Sequence, residues 1–376
     1  MNTAQLKEEI IAYSKTIGID KIGFASADTF QTLKGRLENQ QELGYQSGFE
    51  EPDIEKRTNP ELLVPQAKSI ISIALAYPSK MKDAPRSTKE KRRGLFARAS
   101  WGLDYHDVLR DRLQKLEAFI LEKVPEAKVK SMVDTGELSD RAAAERAGIG
   151  WSGKNTSIIT PELGSYVYLG EMITTIPFEP DTPIEDRCGT CNKCIDACPT
   201  GAIVQGGQLD SSKCIAFLTQ TKGFLADEYR DKIGNRVYGC DTCQLVCPEN
   251  KKVDFHFHPE MEPDPEVVKP ELKPLLSISN REFKEKFGPI AGSWRGKKPI
   301  QRNAIIALAH YRDESAVPDL KRLVKEDPRP VIRGTAAWAL GKIGSEDAEK
   351  FLIQAKKREN DEKVMEEIDK GLEMLK

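Results

Sequence analysis

The sequence predicts an α+β chain that ends in paired α-helices, and three observations carry that prediction. Residues 1–176 alternate helical and extended apolar patterns. All eight cysteines fall between residues 188 and 247, and from residue 299 the chain repeats itself with an offset of 32.

In the first segment, Asn2 is placed to cap a helix carrying Leu6, Ile10 and Ile11 on one face, which Gly18 ends. A strand follows at residues 21–25, then a helix from about Phe30 to Gly44. The run SIISIALAY (69–77) suits a buried strand. Residues 104–124 read as a helix with Val108, Leu113, Leu116 and Phe119 at helical spacing, and 128–133 as a strand. Residues 155–160 and 165–175 suggest a β-hairpin. The cysteine-rich module takes 177–258, a Pro-rich connection 259–298, and the helical repeats 299–376. In the repeats, Ala304, Ala307 and Leu308 match Ala336, Ala339 and Leu340, with Arg302 and Arg333 entering each unit. Alanines at close helix contacts resemble HEAT-like helical pairs.

The chain's 376 residues suffice for two or three domains. With 57 Lys and Arg against 59 Asp and Glu, the formal charge is −2, so any attraction to nucleic acid must come from local patches. The opening MNTAQLKEEIIAYSK lacks an apolar signal core and a twin-arginine motif, and no stretch is apolar enough to span a bilayer. A cytoplasmic protein without membrane contact is expected. Disulfides are rare there, so the cysteines need another explanation.

Their spacing supplies it. Cys188-x-x-Cys191-x-x-Cys194-x-x-x-Cys198-Pro199 resembles the bacterial ferredoxin run, in which three cysteines hold one cluster and the fourth reaches the other. Cys240-x-x-Cys243-x-x-x-Cys247-Pro248 repeats the pattern without its leading cysteine, and Cys214 is the thiol left to replace it. Two 4Fe–4S clusters then take Cys188, Cys191, Cys194 and Cys247, and Cys198, Cys214, Cys240 and Cys243. Structural zinc sites or disulfides are the alternatives, but zinc knuckles have no need of the three-step run with its trailing Cys-Pro.

Clusters pass single electrons, so a receiver is expected upstream. No G-x-G-x-x-G follows an N-terminal strand, which argues against a dinucleotide site. Asp254-Phe255-His256-Phe257-His258-Pro259 fails the D-x-H-x-x-G pattern of proteins that ligate cobalt through histidine; surface or packing roles are expected for His256 and His258. More informative is Val133-Asp134-Thr135-Gly136, continuing from Asp140-Arg141 to Gly148-Ile149-Gly150-Trp151-Ser152-Gly153-Lys154-Asn155. With Arg57-Thr58-Asn59-Pro60, Trp101-Gly102-Leu103-Asp104-Tyr105-His106 and the cysteine spacing, the whole chain resembles the epoxyqueuosine reductases. It departs from them at Glu137, where Pro is expected.

The resemblance implies a cobalamin-dependent reduction of the epoxide of epoxyqueuosine to queuosine at the tRNA wobble position. It implies base-off cobalamin in a flavin-reductase-like domain, with a two-cluster ferredoxin-like domain and HEAT-like repeats behind it. It also implies a monomer that binds the anticodon stem-loop and takes electrons from a small redox protein. The opening alkoxide needs an acid, and Asp134 is the candidate, its pKa raised by desolvation. The alternative is that Asp134 caps the next helix, with Glu137 completing a capping box. Arg57, Asn155, Ser157, Ile158 and Leu169 are candidate cobalamin contacts, and His106 is either a cavity hydrogen-bonder or a core histidine. Candidate tRNA contacts are Lys222, Arg230, Arg295, Lys297 and Lys298, with Trp294 set for base stacking. An electron carrier, a reductive dehalogenase and an RNA-binding scaffold are the competing classes.

Overall fold

The computed structural model describes residues 2–376. Contacts group these into two compact units. The first comprises the chain up to Lys80, Gly102–Cys214 and Asp241–Glu262. The second comprises Met81–Trp101, Ile215–Cys240 and Pro263–Lys376.

In the first unit, strands β1 (Lys21–Ser26), β2 (Ser69–Ala76), β3 (Val129–Met132) and β4 (Val167–Thr174) form a sheet in the order β1-β2-β4-β3, with every neighbouring pair antiparallel. β2 is buried along its whole length, as its unbroken apolar run requires. Alternate residues feed two layers. On one face, Ile71, Ile73 and Leu75 meet Leu6 and Ile10 of helix α1 (Thr3–Thr16) and Leu109 and Leu113 of α2 (Tyr105–Lys123). On the other, Ile70, Ala74, Leu169 and Ile173 meet Ala143 and Ala144 of α3 (Asp140–Arg146) and Ala147, the residue that caps its end. This second layer is thin because α3 presses on β1: a Cβ on Gly23 would lie 2.1 Å from the Ala147 carbonyl oxygen. The helix starts follow their caps. Asn2 Oδ1 accepts from the Ala4 and Gln5 amides at 3.1 and 3.2 Å, and Asp104 Oδ1 accepts from the His106 amide at 3.0 Å.

One local expectation is corrected. Residues 155–160 and 165–175 do not form a two-stranded hairpin: Ile158–Ile159 pairs with Trp151–Ser152, and Val167–Thr174 lies between β2 and β3. The reason is two-sided burial. Tyr168 and Met172 face one layer while Leu169 and Ile173 face the other, so this strand takes a central place.

In the second unit, helices α4 (Lys297–His310), α5 (Val317–Glu326), α6 (Pro330–Ile343), α7 (Ala348–Lys356) and α8 (Glu362–Glu373) form the repeats. The matched residues Ala304, Ala307 and Leu308 and their equivalents Ala336, Ala339 and Leu340 are all completely buried. Their core continues into Ile215, Leu218, Ile233 and Val237, which removes residues 215–240 from the rest of the cysteine-rich segment. Arg230, expected at a tRNA surface, is only 1% exposed and is corrected here. Its guanidinium makes a bidentate pair with Glu367 at 2.6 and 2.8 Å and donates to the Leu225 carbonyl, so it ties residues 227–233 to α8. Glu367→Ala would leave a buried charge with only the longer, half-exposed pair to Asp227 at 3.3 Å. That variant is expected to lose about 3–5 kcal/mol, read from denaturant unfolding of the second unit's helices. An unchanged midpoint would show that Arg230 finds another partner. No helix among the described residues is long and apolar enough to cross a membrane.

Candidate active site

Asp134 leaves β3 with φ +48°, in the left-handed region, where Asp is among the better tolerated side chains. The Thr135 amide donates back to the Val133 carbonyl, closing a tight turn around it. A non-glycine residue held there costs of order 1–3 kcal/mol, and such conformations cluster at functional sites. A cleft of about 400 Å³ is lined by residues on either side of it, Val133 and Thr135, and by Gly136, Arg110 and Glu117. Asp134 is not a helix cap: α3 begins at Asp140 with Ser139 at its N-cap position, and Glu137 is bound by Lys130 at 2.8 Å.

His106 settles the protonation of this carboxyl. Asp104, the cap of α2, accepts from His106 Nδ1 at 2.7 Å, and Asp134 Oδ2 accepts from Nε2 at 3.3 Å. Burial alone would lower the imidazole, but the hydrogen bonds to the two carboxylates outweigh it and raise its pKa to about 9. The His106 hydrogen bond in turn holds Asp134 below the usual carboxylate range against the opposing effect of burial, with the Tyr105 hydroxyl adding to it. The protein groups thus place the proton on His106, the reverse of the raised Asp134 expected from desolvation.

Other charged groups gather at the start of α3. Burial pushes the Asp140 carboxyl up, with Arg141 opposing and Asp134 adding. Burial pulls Arg57 down, opposed by Glu50 and Asp140. Arg141 Nη1 donates to the Thr156 carbonyl at 2.6 Å, so this helix holds the loop before Ser157. Asn155 is 5% exposed; its Oδ1 accepts from the Ser157 amide at 3.2 Å, and its Nδ2 has no partner among the described residues. Ile158 and Leu169 belong to the buried layer under α3, so their side chains serve the core and not an open surface.

Glu171 escaped the sequence reading. It sits in β4 opposite Ser72 and Met132, is 1% exposed, and neither of its carboxyl oxygens has a partner among the described residues. Burial, with Asp140 and Asp134 adding, raises its pKa well above the ordinary carboxyl range. The signal was a lone carboxylate inside the run VYLGEMIT.

All eight cysteines are half-buried. Burial raises Cys194 and Cys247, and the Cys188 thiolate adds to both, so Cys188, Cys194 and Cys247 lie within electrostatic reach of one another. Around Cys198, burial is outweighed by hydrogen bonds from the Ile203, Thr200 and Ala202 amides, and its thiol is lowered. Thiolates ringed by backbone amides suit iron–sulfur ligation. The two histidines of the failed cobalt motif are hydrogen-bonded to carboxylates: His258 Nε2 lies 2.7 Å from Asp20 and His256 Nδ1 2.6 Å from Glu262.

In the second unit, Lys222 is exposed, as is Trp294, at 54%. Trp294 Nε1 donates to Gln220 at 2.8 Å and the Arg295 guanidinium stacks 4.9 Å from its ring centroid, which fixes an exposed aromatic beside a cation. Lys297 donates to the Ile278 carbonyl at 3.0 Å, and Lys298 is half-exposed in the same turn.

Comparison with known proteins places these features in a family. A family model described as epoxyqueuosine reductase QueG, DUF1730, matches residues 57–135. A 4Fe-4S double cluster binding domain matches 187–250 and HEAT repeats match 295–372. An epoxyqueuosine reductase of Bacillus cereus is 73% identical over 375 residues, covering 100% of this chain and 99% of that protein. One of Bacillus subtilis is 69% identical over 376 residues, covering 100% and 97%. A crystal structure of epoxyqueuosine reductase with an epoxyqueuosine-modified tRNA-Tyr stem loop is 69% identical with a TM-score of 0.98, covering 100% of both chains. Another, of the Bacillus subtilis enzyme with its Asp134 catalytic loop swung out of the active site, is 68% identical, again with a TM-score of 0.98 and 100% of both chains covered. Identity of this order over the full length leaves one assignment: the chain belongs to the epoxyqueuosine reductase family.

Proposed function

We propose that this chain reduces the epoxide of epoxyqueuosine in the anticodon stem-loop of tRNA, with Asp134 delivering a proton to the opening oxygen. The observation that carries the reading is the Asp134 turn: a carboxylate held at positive φ between two residues that line a cleft, and hydrogen-bonded to a histidine whose pKa is raised to about 9. Opening an epoxide to an alkene consumes two electrons and two protons and releases water, so a positioned acid is a requirement of the chemistry.

The cysteine sets assigned from spacing are Cys188, Cys191, Cys194 and Cys247 for one cluster, and Cys198, Cys214, Cys240 and Cys243 for the other. The amides around Cys198 and the mutual influence of Cys188, Cys194 and Cys247 fit that division. Base-off cobalamin fits the charged group at the start of α3. There Arg57 is placed for a phosphate or amide oxygen, and the orphaned Asn155 Nδ2 and the Ser157 loop for amide contacts. When bound, these groups supply the two electrons. The protein's own part is to hold the Asp134 carboxylate in its turn beside the cleft and keep a proton within its reach. A small redox protein as donor and a cytoplasmic setting accord with this chemistry.

Trp294 with Arg295, Lys297 and Lys298, and the nearby Lys222, are the proposed tRNA contacts: phosphate contacts give affinity and the exposed ring a stacking surface. Replacing Arg295, Lys297 and Lys298 by Ala is expected to weaken tRNA binding. It should also reduce the slope of log affinity against log salt by roughly one unit per lost phosphate contact. Unchanged affinity across a salt series would mark the patch as solvated surface. The function itself is tested by incubating anaerobic, cofactor-loaded, reduced protein with an epoxyqueuosine stem-loop and, separately, with a halogenated phenol. Conversion of the stem-loop alone supports the reading; dehalogenation without stem-loop conversion overturns it.

A further inference from the structure

The reduction takes up two protons, while the His106 hydrogen bond holds the Asp134 carboxyl below the usual carboxylate range. Two titratable side chains hydrogen-bond it, the Tyr105 hydroxyl and His106, whose Nε2 lies 3.3 Å from Oδ2 and whose other ring nitrogen is anchored 2.7 Å from Asp104. We propose that His106 is a positioning residue that stores the proton Asp134 hands to the opening epoxide oxygen, an assignment that rests on the Asp134 reading above. Asp104 holds the ring with Nε2 toward the reacting carboxylate, and the Tyr105 ring stacks on the imidazole at 4.1 Å and on Tyr168 at 4.5 Å.

The transfer balances. Both epoxide C–O bonds break as the two electrons arrive from the reduced cofactors: the hydroxyl left by the first opening departs as water on taking the second proton, and at the first opening the oxygen takes its proton from Asp134. Asp134 draws that proton from His106 Nε2, leaving neutral imidazole and carboxylate, and the second proton comes from solvent water. The charged groups facing this pair are Asp104 with Arg110 on α2, Asp140 and Arg141 at the start of α3, and Glu171 in β4. Burial raises both Glu171 and Asp140, with Arg141 opposing it at Asp140. The anions that hold the imidazolium are therefore Asp104 and Asp134. His106 keeps its proton below about pH 9 and loses it above, so proton supply should last to that pH and fail beyond it.

His106→Gln retains a donor toward Asp134 but cannot carry the proton. Single-turnover conversion by the loaded variant at neutral pH is expected to fall on the order of 10²-fold. Its alkaline limit should move below that of the wild type, with iron content and stem-loop affinity unchanged. A readout independent of turnover comes from the full chain labelled in its histidine rings. With only four histidines the signals can be followed individually, and one should titrate near pH 9 and move down in Asp134→Asn. A rate within a few-fold of wild type with the same alkaline limit overturns the proposal. So does the absence of any imidazole titrating well above the ordinary histidine value, a measurement that needs no variant to fold. If Asp134→Asn abolishes conversion while His106→Gln leaves it intact, only this inference fails. If both variants are silent, the Asp134 reading itself has failed.

Discussion

Asp134→Asn should retain its clusters, bind cobalamin and the tRNA stem-loop, and convert the epoxide about 10²–10⁴-fold more slowly than wild type in a single turnover. Asn is the informative substitution because the backbone demands it. At φ +48° Asp and Asn are tolerated alike, whereas Ala would add strain and confound lost chemistry with a rearranged turn. The amide can still hydrogen-bond His106, so geometry is kept and only the transferable proton goes. A helix-capping role gives no competing account of a loss, since α3 starts six residues later and Ser139 occupies the cap position. Conversion within a few-fold of wild type would assign the proton to water or to another group.

Cys214→Ala is expected to remove one cluster and spare the other, lowering iron from about eight to about four per chain in anaerobic protein. Cys214 follows the short turn Ser211–Lys213, whose first residue is preceded by the Asp210 cap, so the substitution leaves the local backbone its own hydrogen bonds. Cys188→Ala should remove the complementary cluster. Retention of all the iron in the Cys214 variant would overturn the ligand sets, because no ninth cysteine exists to replace it.

What could be read from the chain depended on how local the determinant was. Caps and apolar periodicity are local, so α1 from Asn2, α2 from Asp104 and the buried β2 all lie where their residues place them. Cysteine spacing is likewise a local code. The partner of a strand is not: VYLGEMIT reads as an extended segment, but that it lies between β2 and β3 follows only from both its faces being covered. Arg230 shows the same gap for charge. Within a basic stretch it looked like surface, and only Glu367, 137 residues away, explains why it is inside. The candidate site was half legible: Asp134 and Arg57 stood out, while the pairing of His106 with Asp134 spans 28 residues and the burial of Glu171 needs the sheet.

The central claim is that this chain, with clusters and cobalamin bound, reduces the epoxide carried by tRNA. The most direct test is a stoichiometric one. Protein loaded anaerobically, chemically reduced and stripped of reductant is given an epoxyqueuosine stem-loop, and the digested nucleosides are weighed by mass spectrometry. The account predicts loss of one oxygen atom from the modified nucleoside, in proportion to loaded protein and absent when cobalamin is omitted. Full conversion without cobalamin, or none by fully loaded and reduced protein, would contradict it.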